Sequence, residues 1–117
     1  RKTLYVAQSW GKAPVIQAWD VGPDGSASNS RVFVNMADLN SAGPGGPDGL
    51  KVDKQGTLFC TGPGGVLVIS PKGEHLGTIR TGQRTANCAF GEDGKTLFMT
   101  ADMLLLRVRL KTTGSGF

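Results

Sequence analysis

Two polar side chains occupy matching places in an internal repeat. Asp48 lies in Gly46-Pro47-Asp48-Gly49-Leu50-Lys51-Val52-Asp53. Asn87 lies in the same register, 39 residues on, in Thr85-Ala86-Asn87-Cys88-Ala89-Phe90-Gly91-Glu92. A carboxylate at such a place can take a proton from water as it attacks an ester carbonyl. Together with an amide oxygen it can also ligate a hard cation such as Ca²⁺, which takes about six to eight oxygens. Each has a plainer use: Asp48 can cap backbone amides in a Pro-Asp-Gly turn, and Asn87 can tie neighbouring units through main-chain hydrogen bonds. Asp102 is a third candidate, as a substrate contact, because it follows Thr100-Ala101 at the end of a strand that can reach a channel mouth.

The elements that must position them are short strands. Thr3-Leu4-Tyr5, Thr57-Leu58-Phe59 and Thr96-Leu97-Phe98 repeat at spacings of 54 and 39 residues. A period of roughly 40 to 50 residues, each unit a few strands, is the mark of propeller blades. Ten strands are expected, near Lys2–Ala7, Val15–Val21, Arg31–Val34, Leu50–Val52, Thr57–Cys60, Val66–Ile69, His75–Ile79, Cys88–Phe90, Thr96–Met99 and Leu105–Leu110. Each is a period-2 or apolar run rich in Val, Ile, Leu and aromatics. Gly56 and Gly94 stand where the intervening turns need positive φ. Met36-Ala37-Asp38-Leu39 is the sole helix candidate and reads as a loop turn. The fold class is therefore all-β: about two and a half four-stranded blades over residues 1–117. Propellers close with about four to eight blades, so this partial set belongs either to a longer polypeptide or to an oligomeric ring.

Composition narrows the partners. The 117 residues, 38% of them hydrophobic, suffice for one packed domain, and 18 Gly and 6 Pro punctuate the strands. No apolar run approaches the roughly 20 residues that span a bilayer, so no membrane partner is expected. The net charge is +4, but its basic residues are scattered. Arg107, Arg109 and Lys111 alternate with Val108 and Leu110, as on the wet side of an edge strand, and nucleic acid is not expected. Cys60 and Cys88 sit in apolar runs as small hydrophobes and belong to no CxxC pair. His75, the one histidine, has no Ser-Asp partners in register for a triad. Trp10 reads as a rim residue and Trp19 as core. Asp24, in the other Pro-Asp-Gly triplet, follows a strand and reads as an outer turn residue. Neither the compartment nor a lost leader is fixed by these residues.

Four pieces in a fixed order carry a family resemblance. They are Pro47-Asp48-Gly49-Leu50-Lys51-Val52-Asp53-x-x-Gly56-x-Leu58-Phe59, Gly64-Gly65-Val66-Leu67-Val68-Ile69-Ser70-Pro71-x-Gly73, Thr85-Ala86-Asn87-Cys88-Ala89-Phe90-Gly91, and Asp93-Gly94-Lys95-Thr96-Leu97-Phe98-Met99-Thr100. The chain resembles the SMP-30/gluconolactonase family from about Lys2 to Leu110, and looks like its C-terminal part. The resemblance implies a six-bladed propeller that hydrolyses sugar lactones to aldonic acids with Ca²⁺ or another divalent metal. It implies Asp48 as metal ligand and water-activating base, and leaves Asn87 as a ligand or a contact to a substrate hydroxyl. It also implies a Glu and an Asn, from blades before this stretch, that have no counterpart here. Three readings remain open: a metal-dependent lactone hydrolase or its C-terminal portion; a non-catalytic propeller piece or binding module; and a self-assembling piece whose copies close a ring.

Overall fold

A computed structural model describes residues 2–10 and 13–117. All ten expected strands are present: β1 (Lys2–Gln8), β2 (Val15–Val21), β3 (Ala27–Asn35), β4 (Leu50–Val52), β5 (Leu58–Gly62), β6 (Gly65–Ile69), β7 (His75–Arg80), β8 (Thr85–Gly91), β9 (Thr96–Ala101) and β10 (Leu104–Arg109). Met36-Ala37-Asp38-Leu39 falls partly within a short 3-10 helix, Ala37–Ala42, rather than a plain turn. Gly56 and Gly94 take φ of 87° and 86°, as their turns require. No helix among the described residues is long and apolar enough to cross a membrane.

The strands form three antiparallel meanders in chain order. Sheet 1 is β1-β2-β3, sheet 2 is β4-β5-β6-β7, and sheet 3 is β8-β9-β10. Sheet 2 lies between the other two. Ile16, Val34 and Met36 pack on Leu58, Cys60, Leu67 and Ile69 to make one core. Phe59 and Val66 pack on Cys88, Leu97 and Met99 to make the other. This explains why β5 is buried at every residue and β6 nearly so. A strand covered on both faces reads as a continuous apolar run, which Val66-Leu67-Val68-Ile69 is. Removing a buried leucine such as Leu58 or Leu67 from water contributes about 1.5–3 kcal/mol.

The repeat register decides which way each side chain faces. In sheet 2, Leu58 faces sheet 1 and Phe59 faces sheet 3. In sheet 3, Leu97 faces sheet 2. In sheet 1, Tyr5 faces sheet 2 and stacks on Phe33 with ring centroids 4.9 Å apart. Phe59 meets Phe90 edge-on at 5.4 Å across the second core. Leu58 and Leu97 thus look to the preceding sheet, and Tyr5 and Phe59 to the following one.

Sheets 2 and 3 converge at their first strands. The Gly49 amide, just before β4, donates to the Ala86 carbonyl at the start of β8, 3.0 Å away. The far edges carry β7 and β10, and on β10 the exposed Arg107 and Arg109 pair with Glu92 and Asp93. β10 is the wet edge strand that its alternation predicts. Cys60 and Cys88 are free and buried. Burial pushes the Cys60 thiol up to about 12. Burial likewise pushes Cys88 up to about 11, the nearby Lys51 ammonium pulling the other way.

Candidate functional site

Asp48 stands in the loop that enters β4, at the converging edge. The chain around it is held from behind by Thr61, a fully buried residue at the end of β5. The Asp48 amide donates to the Thr61 hydroxyl at 3.0 Å, that hydroxyl donates to the Gly46 carbonyl at 3.2 Å, and the Thr61 amide donates to the Gly49 carbonyl at 2.9 Å. Pro47 is buried beside them. The Asp48 side chain is left exposed, and among the described residues its carboxylate has no hydrogen-bond or ion-pair partner. A turn-capping aspartate would be occupied, as Asp24 is by the Ser26 amide and hydroxyl in the β2–β3 turn. Asp48 is not spent on its own turn.

Asn87 lies against the next residue. A Cβ placed on Gly49 would stand 2.6 Å from the Asn87 Cγ and 2.7 Å from its Cα. Only glycine lets β8 approach this closely. The Asn87 Oδ1 accepts from the Cys88 amide at 2.9 Å, so part of its capacity serves its own strand; an amide oxygen has a second lone pair. Its carbonyl accepts from the Thr100 hydroxyl at 3.4 Å. Thr61 and Thr100 are themselves 39 residues apart. In each repeat, a threonine late in the second strand tethers the main chain that presents the polar residue. That recurrence is the signal by which Thr61 is visible in the sequence.

The other candidates fall around this pair. Asp102 occupies the β9–β10 turn with φ of 54°, exposed, its amide bonded to the Arg84 carbonyl at 2.9 Å. It shares the end of sheet 3 from which Asn87 enters. A pocket of about 190 Å³ is lined by Lys51, Asn87, Cys88, Ala89, Phe98, Thr100 and Leu105, and by neither Asp48 nor Asp102. Lys51 had no repeat partner to mark it; it enters the pocket because β4 turns Leu50 and Val52 inward and alternation sends residue 51 the other way. His75 is exposed on β7 beside Thr78. Trp10 is almost fully exposed, and Trp19 is half-buried on the outer face of sheet 1 rather than in a core.

Asp48 and Asn87 are oxygen donors of the kind a hard cation prefers, but two are far short of about six to eight. Among the described residues no three or more His, Cys, Asp or Glu side chains gather as a metal site.

Asp53, a second acid in the same segment, has a different task. It is buried, and its carboxylate accepts from the Gln55 and Thr57 amides at 2.8 Å each and from the Thr112 hydroxyl at 2.7 Å. It binds residues 112–117 back onto the end of β4, where the Ser115 amide reaches the Val52 carbonyl.

The SMP-30/Gluconolactonase/LRE-like region matches residues 1–102. This chain belongs to that family. It is 39% identical over 115 residues to a gluconolactonase of Zymomonas mobilis, covering 95% of this chain and 32% of that protein. A solved gluconolactonase of Xanthomonas campestris, described as important in glucose secondary metabolic pathways, superposes with a TM-score of 0.78 at 33% identity. That match covers 92% of this chain and 34% of the other. A luciferin-regenerating enzyme shares the fold, with a TM-score of 0.77 at 21% identity over 97% of this chain and 43% of its own. The relatives are six-bladed propellers, and the three sheets are blades of that kind. The chain spans about a third of the length of the gluconolactonases it matches.

Proposed function

We propose that this chain carries the water-activating part of a sugar-lactone hydrolase. The observation behind the reading is Asp48: an exposed carboxylate without a partner among the described residues, on a loop anchored by a buried threonine, beside the Asn87 of the adjoining blade. Hydrolysis of a lactone needs a base to take the proton of water as its oxygen bonds to the carbonyl carbon. The ring C–O bond then breaks, and the departing alkoxide takes up a proton to leave the aldonic acid. In this reading Asp48 holds the first proton, which its exposed carboxylate supports. The Asn87 amide can donate from its NH₂ to a substrate oxygen while its Oδ1 stays on Cys88. A bound divalent cation, Ca²⁺ or another, would polarise the carbonyl; Asp48 and Asn87 would supply two of its ligands, and the remainder would come from outside these residues.

The test is acid release from glucono-1,5-lactone in a pH-stat, measured above the spontaneous rate and with and without chelator. A positioned base contributes about 10²–10⁴-fold, so Asp48→Asn should lower the catalysed rate by that factor with the fold retained. An unchanged catalysed rate in Asp48→Asn, measured in a protein that holds all the ligands, would defeat the proposal. It would favour the non-catalytic binding module, which has its own support in the commitment of the Asn87 Oδ1 to a main-chain bond.

A further inference from the structure

The longest connection between strands runs from the end of β3 to the start of β4, and it carries Asp48. Connections of this length are commonly active-site lids or binding loops that open and close. This one is fastened along its whole length. At its start the Met36 amide donates to the Pro14 carbonyl at 2.8 Å, and the Met36 side chain is buried in the core between sheets 1 and 2. At its end the Thr61 hydroxyl and the Ala86 carbonyl hold residues 46–49. The middle is held at one corner, where β7 ends beside the β5–β6 turn.

Three segments meet at that corner. The Gly64 amide donates to the Pro44 carbonyl at 3.0 Å, and the Thr81 amide donates to the Gly64 carbonyl at 3.2 Å. The Arg80 guanidinium donates to the Ala42 carbonyl at 3.1 Å. The loop lies flat on the turn: a Cβ on Gly43 would stand 2.9 Å from the Gly64 Cα, and one on Gly45 would stand 2.9 Å from the Gly62 carbonyl oxygen. Arg80 is exposed and makes no ion pair among the described residues. Its charge goes instead to a main-chain carbonyl 38 residues back, and a charge-assisted bond is roughly twice as strong as a neutral one. We infer that residues 42–49 form a fixed strap rather than a closing lid, and that Arg80 is the positioning residue that clasps it and so fixes the main chain at Asp48. Both sides of every contact in this lock are present in the chain. For the proposed hydrolase the strap means that Asp48 is in place before substrate arrives, with no closure of this loop; that consequence alone rests on the lactonase reading.

Amide hydrogen exchange of the purified chain, followed by NMR, tests the strap without turnover. In Arg80→Met, exchange at the Gly64 and Asp48 amides should quicken by about tenfold, because both donate across the strap. The Ser70 and Gly94 amides, bonded in turns at the opposite end of the sheets, should keep their wild-type rates. Arg80→Lys can still donate to the Ala42 carbonyl, and should return the Gly64 and Asp48 rates most of the way to wild type. Unchanged exchange at Gly64 and Asp48 in Arg80→Met overturns the inference. So does equal quickening at Ser70 and Gly94, which would mean general loosening, and so does a lysine variant no better protected than the methionine one. A wild-type chain in which the Gly64 and Asp48 amides exchange as fast as in an unstructured peptide overturns it outright. Failure of the lactonase reading through Asp48→Asn would leave these rates as they are, so the two can fail separately.

Discussion

Replacing Gly49 by alanine probes the closest approach in the candidate site. The added Cβ would sit 2.7 Å from the Asn87 Cα. Carbon atoms in contact prefer about 3.5–4.0 Å, so β4 and β8 must separate by roughly 0.8 Å or more. The obstacle is backbone, which cannot rotate out of the way as a side-chain tip could. Overpacking of this kind costs about 1–3 kcal/mol. For a chain of this size each kcal/mol lowers Tm by roughly 4 °C, so Gly49→Ala should melt roughly 4–12 °C below wild type in circular dichroism. The separation also stretches the 3.0 Å bond from the Gly49 amide to the Ala86 carbonyl, and moves Asp48 relative to Asn87. A displacement of about 1 Å can cost roughly 10²-fold in rate, so any lactone hydrolysis should fall further than the lost stability explains.

Gly77→Ala is the matching control. Gly77 lies within β7, has nothing within 4 Å of its Cβ position and is not left-handed. Its replacement should be neutral or stabilising by about 0.5–1 kcal/mol. If Gly49→Ala melts within about 1 °C of wild type, the close packing of the two first strands is not what sets the site.

Thr61→Val keeps the shape but removes the hydroxyl that holds the Asp48 amide and the Gly46 carbonyl. It should cost about 1–3 kcal/mol in urea unfolding, with Thr61→Ser recovering most of that; equal stability of all three proteins would refute the anchoring role. Asp53→Ala removes three acceptor contacts, which are not additive, for about 2–4 kcal/mol in all. Hydrogen exchange at the Lys54 and Ser115 amides should quicken, since the returning tail is bonded there; unchanged protection would mean the tail is held elsewhere. The thiols give an alkaline signature. Their folded values of about 12 and about 11 lie above the ordinary 9.0, so the unfolded chain releases these protons first. Their contribution is therefore complete below pH 9 and is lost as pH rises from there towards 11 and 12, at up to about 1.4 kcal/mol per pH unit for each thiol. The urea midpoint should fall more steeply above pH 9 in wild type than in the Cys60→Ala/Cys88→Ala protein; parallel curves would refute the buried-thiol account.

The strands were legible in the sequence because each is a short apolar or alternating run closed by a glycine turn, and both signals are local. The Thr-Leu-aromatic triplet was legible as a repeat, but the direction each strand faces comes from packing between sheets, where Leu58 looks to sheet 1 and Phe59 to sheet 3. What local pattern cannot carry is the choice between two acids in one segment. Asp48 and Asp53 lie five residues apart, on either side of β4, and either could serve as a base or as a turn cap. The deciding contacts come from far along the chain. Thr112, 59 residues beyond Asp53, joins two turn amides in satisfying that carboxylate. Thr61 fixes the main chain at Asp48 and leaves its carboxylate alone. Leaving an acid unpaired among its own neighbours forgoes the roughly 1.5–3 kcal/mol that a hydrogen bond to a charged group can contribute. Asp53 collects such bonds and is structural; Asp48, held by its amide and free at its side chain, is the one available to a ligand or to water.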